Sequence, residues 1–156
     1  MSTYRPFSAL LLLTCLACAT RSTTPSDIGG SVHGDGTATL TVEVHGLESD
    51  RGSVAVALFD SAASFDQRAA AVALETLVPM NGLATWSVGH LPAGVYAVAV
   101  YHDLNDNGEL DRSTLGPPSE PYGFSNDARG PFGPPKFNSA AIELRPGEQT
   151  IRIRVR

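Results

Sequence analysis

Cysteine is almost missing from this chain. Of 156 residues only two are cysteine, Cys15 and Cys18, and both lie near the N-terminus. The body has no internal disulfide available, so it must be held by its core or by a metal ion. Charge is also sparse: Asp, Glu, Lys and Arg make up 17% and the formal net charge is −5. An acidic chain without a basic patch is poorly suited to nucleic-acid phosphates. The late arginines Arg152, Arg154 and Arg156 alternate, which reads as the solvated face of a last strand. There is no Gly-x-Ser-x-Gly, no phosphate-cradling glycine loop and no cysteine nucleophile in the body. No long helical periodicity stands out. What remains is one domain's length with room for a sizeable core.

The first residues read as a targeting segment. Arg5 supplies the positive start and Ala9 to Leu16 form an apolar run too short to span a bilayer. Two cleavage readings compete. Ala17-x-Ala19 suits a general signal peptidase. Leu16-Ala17-Cys18 resembles a bacterial lipobox with Cys15 where leucine is usual, and would leave Cys18 lipidated. A membrane is expected to be met only through that lipid, and the protein is expected in the periplasm, on the outer membrane or outside the cell. Residues 1–19 are thus assigned to a signal peptide, 20–36 to a disordered Ser/Thr/Gly/Asp linker, and 37–156 to a folded domain.

Within that domain apolar residues recur at every second position. Leu40, Val42 and Val44 alternate with polar residues; Val54, Val56 and Leu58 share one face of a second strand, with Ala55, Ala57 and Phe59 on the other. The two are expected to form a hairpin across Gly46 to Gly52. Around Phe65 the pattern allows a helical turn or a loop. Val72 to Val78 reads as a strand, Pro79-Met80-Asn81-Gly82 as a turn, Leu83 to Val88 as the strand pairing back, and His90 to Gly94 as another turn. Val95 to His102 is apolar on both faces and is expected at the centre of a sheet. Arg112 to Phe137 holds six prolines yet also Tyr122, Phe124, Phe132 and Phe137. Those aromatics could line a ligand groove or pin the loop to the body. Ala140 to Leu144 and Gln149 to Val155 close the domain. About seven strands with regular turns predict an all-β, antiparallel Greek-key β-sandwich.

The chemistry gathers after the central strand. Asp103, Asn105, Asn107 and Asp111 place oxygens at alternate positions, Gly108 permits a tight turn, and Glu109 can offer its backbone carbonyl. That is the layout of a loop around a hard cation, and calcium is the expected ion. It is not an EF-hand, because Thr114 stands where a bidentate glutamate is needed and no helix pair flanks it. Glu120 or Asp127 could supply the missing carboxylate. The competing reading is a metal-free turn in which Asp and Asn bond their own backbone. His102 precedes the loop, but His33, His45 and His90 share no spacing with it. Asp60, Asp66, Glu120 and Asp127 cannot be paired from sequence.

These residues carry a resemblance. Gly94 to Asp111, then Leu115 to Asn126, then Phe132-Gly133-Pro134-Pro135-Lys136-Phe137, with the opening Leu40 to Phe59, resemble the bacterial family catalogued as domain of unknown function 2141 (DUF2141). Pro117-Pro118 and Pro121 depart from its usual pattern. The strand pattern fits a transthyretin-like or immunoglobulin-like sandwich; the resemblance implies an exported bacterial protein with a sandwich in the style of transthyretin-like or carboxypeptidase-regulatory modules, and implies no activity. The functional expectation is a non-enzymatic binding or structural module of the cell envelope with a calcium-stabilised loop. The alternative is a metal-dependent envelope hydrolase built on Asp103 to Asp111. The sequence names no partner.

Overall fold

The computed structural model describes residues 34–156 apart from Ala69 and Leu115. The signal segment, Cys18 and the linker up to residue 33 lie outside the described residues. In chain order the elements are β1 (Gly34–His45), β2 (Ser53–Phe59), α1 (Ala62–Gln67), β3 (Ala73–Leu77), β4 (Leu83–Asp103), β5 (Tyr122–Phe124), a 3-10 turn (Ser125–Asp127), α2 (Phe137–Ala140), β6 (Ile142–Leu144) and β7 (Gly147–Arg154). The chain is mostly β, and its seven strands join in one mixed sheet of order β3-β2-β4-β1-β7, with β5 and β6 also on β4.

β4 organises everything. It runs 21 residues, and its two halves serve different partners. Leu83 to Ala93 pairs antiparallel with β1, whereas Ala97 to Asp103 pairs antiparallel with β2. β5 lies on the other side of the second half, along Ala99 to Tyr101, and β6 pairs with Gly94 to Tyr96 between them. The central place expected for Val95 to His102 is therefore observed. The turn expected at His90 to Gly94 is not. The strand continues through it by a bulge: Ala38 opposes Leu91 and Leu40 opposes Val88, so β4 carries one extra residue, and His90 takes φ 60°.

Three pairings differ from the sequence reading. β1 and β2 do not form a hairpin; both join β4 instead. β3 pairs with β2, and the link to β4 meets it only at the Met80–Leu83 bridge, across Asn81 (φ 54°) and Gly82 (φ 75°). Most importantly, β1 and β7 run parallel, from Ala38 opposite Gly147 to His45 opposite Arg154, so the sheet is mixed and not purely antiparallel. Alternation is a property of one strand and says nothing about its neighbour's direction.

The core follows the alternation. Leu40, Val42, Val44, Val54, Val56 and Leu58 are fully buried, and with Val98, Val100, Leu144 and Ile153 they form one cluster. Ile151 is only partly buried, while Ile153 and Val155 on the same face are sealed. A second cluster of Phe59, Phe65, Ala97, Phe137 and Ala140 lies with α1 and α2. Arg152, Arg154 and Arg156 are exposed, as expected.

Candidate functional site

β4 ends at Asp103, and the next residues close into the expected Asx loop. Asp103 is buried, and its carboxylate oxygens accept the backbone N–H of Asn107 at 3.1 Å and of Gly108 at 2.7 Å. Asn105 Oδ1 accepts from Asn107 N at 3.2 Å, and Asn107 Oδ1 accepts from Glu109 N at 2.8 Å. The Asn105 and Asn107 amides donate to the two oxygens of Asp111, at 2.8 and 3.1 Å. Gly108 takes φ 80°, which only glycine adopts without strain. Gly52, also at positive φ (74°), is needed for a further reason: a Cβ there would overlap the Asp103 carbonyl, so the β1–β2 loop can lie flat on the end of β4.

The long loop returns to this point. Glu120 is 6% exposed, and its carboxylate accepts Leu104 N at 2.8 Å and Asp111 N at 3.0 Å. One side chain thus clamps both ends of the Asx loop. Of the two extra carboxylates expected there, Glu120 arrives and Asp127 does not; Asp127 is exposed in the 3-10 turn after β5. The Glu109 side chain is exposed. His102 is fully buried, its Nε2 donates to Arg51 O at 2.8 Å, and its Nδ1 has no partner. Among the described residues no three His, Cys, Asp or Glu side chains converge into a metal-holding set.

Beside the loop lies a hollow of which the sequence reading named two aromatics, Tyr122 and Phe124, but neither the floor nor the strands that build it. The outer face of β2, β4 and β5 carries a groove of about 300 Å³. Register explains it. Leu74, Ala57, Ala99 and Phe124 stand in one row across four strands, and Thr76, Ala55, Tyr101 and Tyr122 in the next. Alanines floor the middle while Leu74, Phe124 and the two tyrosines wall it. Phe59 and Phe65 close one end, their ring centroids 5.3 Å apart, and Leu110 of the Asx loop stands among the lining residues. Burial pushes the Tyr101 phenol up, and the charges of Asp103, Glu120 and Glu109 add to this. Its hydroxyl donates to Gly108 O at 3.0 Å, tying groove and loop together.

The aromatics of the long loop divide. Tyr122 and Phe124 line the groove, Phe137 is buried against Phe65 at 6.0 Å, and Phe132 stands fully in solvent, contributing to neither.

Residues 42–152 match the profile of a family described as an uncharacterized protein conserved in bacteria (DUF2141). The chain belongs to that family. Neither the curated proteins nor the solved structures hold a match to it. The DUF2141 span takes in the Asx loop, Glu120 and all the described groove-lining residues. One more DUF2141 residue emerges only from the fold. Ser125 is fully buried, its hydroxyl accepts Val98 N at 2.9 Å and donates to Ala140 O, so it extends the β4–β5 pairing by a side chain. The sequence signals for the groove were the aromatics Tyr122 and Phe124 and the alternating alanines Ala55, Ala57 and Ala99.

Proposed function

We propose that this protein is a non-enzymatic binding module of the bacterial cell envelope, exported by its N-terminal segment and tethered to a membrane through Cys18. The observation that carries the binding reading is the groove with its alanine floor and aromatic walls. Small-molecule sites are mostly apolar hollows of roughly 300–1,000 Å³ with few polar groups, and this one lies at the lower bound. The reading uses a two-layer sandwich. One layer is β1, β7 and the first half of β4; the other is β2, β3, β5 and the second half of β4. What supports it is that β1 and β2 exchange no ladder bonds yet bury their valines in one cluster.

A calcium ion at the Asx loop is the accompanying proposal. Asp103, Asn105, Asn107, Asp111 and Glu120 meet there through direct or backbone-mediated bonds. Each carboxylate oxygen already accepts one N–H and keeps a second lone pair. Turning the Asn105 and Asn107 amides over would set oxygen against the oxygens of Asp111, an arrangement that a cation between them would make favourable. The hydrolase alternative draws no comparable support, since His102 is sealed in the interior.

Three measurements test these proposals. A small neutral apolar probe such as indole should shift the amide resonances of Ala57, Ala99 and Phe124; shifts elsewhere or none would sink the binding reading. Calcium at millimolar concentration should raise the melting temperature, and an unchanged value removes the ion. The mass of the mature chain should carry a lipid adduct on Cys18; a free Thr20 amine would place the protein without an anchor.

A further inference from the structure

We propose that the groove takes a small amphiphile with a single anionic head, held with its head at Arg68 and its apolar part over Ala57 and Ala99. This deepens the binding reading above and depends on it. The argument begins with charge. Among the described lining residues Arg68 is the only charged one. The ion pairs of the described residues use His45, Arg145 and Arg152 with Glu43 and Glu143, and Arg68 takes part in none. An unpaired guanidinium beside apolar walls offers a planar fork of donors to a carboxylate or sulfonate.

Position gives the ligand a direction. Arg68 caps the C-terminus of α1, where its N–H bonds Ser64 O at 3.1 Å. Phe65 of the same helix packs on Phe59 and lies 5.8 Å from Phe124, so α1 stands over the Phe59 end of the alanine rows. The opposite end is Tyr101 and Leu110, beside Asp103, Glu109 and Glu120. An anionic head is favoured at the first end and repelled at the second. A cationic head would be repelled by Arg68 at the first end. The chain's net charge of −5 opposes any anion, so the preference must come from the local guanidinium and not from the overall field.

Three ligands with one tail separate the possibilities: octanoate, 1-octanol and octylammonium, titrated calorimetrically into the full chain. Octanoate should bind about tenfold tighter than octanol, in keeping with a charge-assisted contact, and octylammonium weakest. Arg68→Gln should equalise octanoate and octanol. Arg145→Gln, which changes net charge equally but sits away from the groove lining, should leave the preference intact. Ala57→Phe should remove all binding; Leu74→Glu, at an exposed rim, does the same job if the first variant fails to fold. Equal binding of octanoate and octanol to the native chain, or a preference for octylammonium, overturns the anionic head while the groove survives. Octanoate bound undiminished by both groove variants overturns the site. No binding of any of the three overturns this inference and the binding reading together.

Discussion

Glu120 reaches back sixteen residues to accept the backbone N–H of Leu104 at 2.8 Å with one carboxylate oxygen. With the other it holds Asp111 N at 3.0 Å. A buried acceptor with two donors is costly to lose, because both N–H groups are then left without a partner. Glu120→Gln keeps one acceptor and turns an NH₂ toward the second N–H. It should cost about 1–3 kcal/mol, with faster amide exchange at Leu104 and Asp111. Unchanged exchange at both amides would show that the clamp contributes nothing.

Asp50 ties two turns together, accepting Asn81 N and Gly82 N at 2.8 Å each. These donors, Gly82 first, hold its carboxyl below the ordinary 3.8. Its contribution to stability is therefore complete at neutral pH and is lost as pH falls below about 3.8 toward the lower folded value. Denaturant unfolding of the native chain and of Asp50→Asn should differ at neutral pH and converge in acid. A gap that does not vary with pH would contradict this.

Val98 tests the central strand. It is fully buried, and its N–H is taken by Ser125. Val98→Asp places an unpaired carboxylate between the packed valines, at a cost of about 3–5 kcal/mol or more. The variant should fail to fold cooperatively. A soluble protein with a sharp melt would place Val98 elsewhere than in the core.

Arg68 sits at φ 51°, a left-handed conformation that glycine adopts without a Cβ penalty. Arg68→Gly should stabilise the fold by about 1 kcal/mol and at the same time abolish the preference for octanoate. Stability and ligand selectivity thus move in opposite directions, a separation that a purely structural arginine would not produce. A loss of stability in the glycine variant would mean that the side chain packs rather than waits for a ligand.

The parts legible beforehand share one property: they are local. Alternation at Leu40, Val42 and Val44, or at Val54, Val56 and Leu58, marks a strand and its buried face whatever lies beside it. The Asx loop is equally local, since Asp103 and Gly108 meet within one turn of chain. By contrast, the turn expected at His90 failed because a bulge can absorb a residue without ending a strand, and Pro92 has no N–H to lose there.

From residue order alone came the strand-rich body, most of its buried faces, the acidic loop and the family to which the chain belongs. Partner choice belonged to the folded state. A strand's side-chain alternation is the same whether its neighbour runs parallel or antiparallel, so nothing in β1 or β7 announces that they run parallel. The groove arises in the same way. Ala57 and Ala99 are separated by more than forty residues and become a floor only when β2 meets β4, with Leu74 and Phe124 raised on either side.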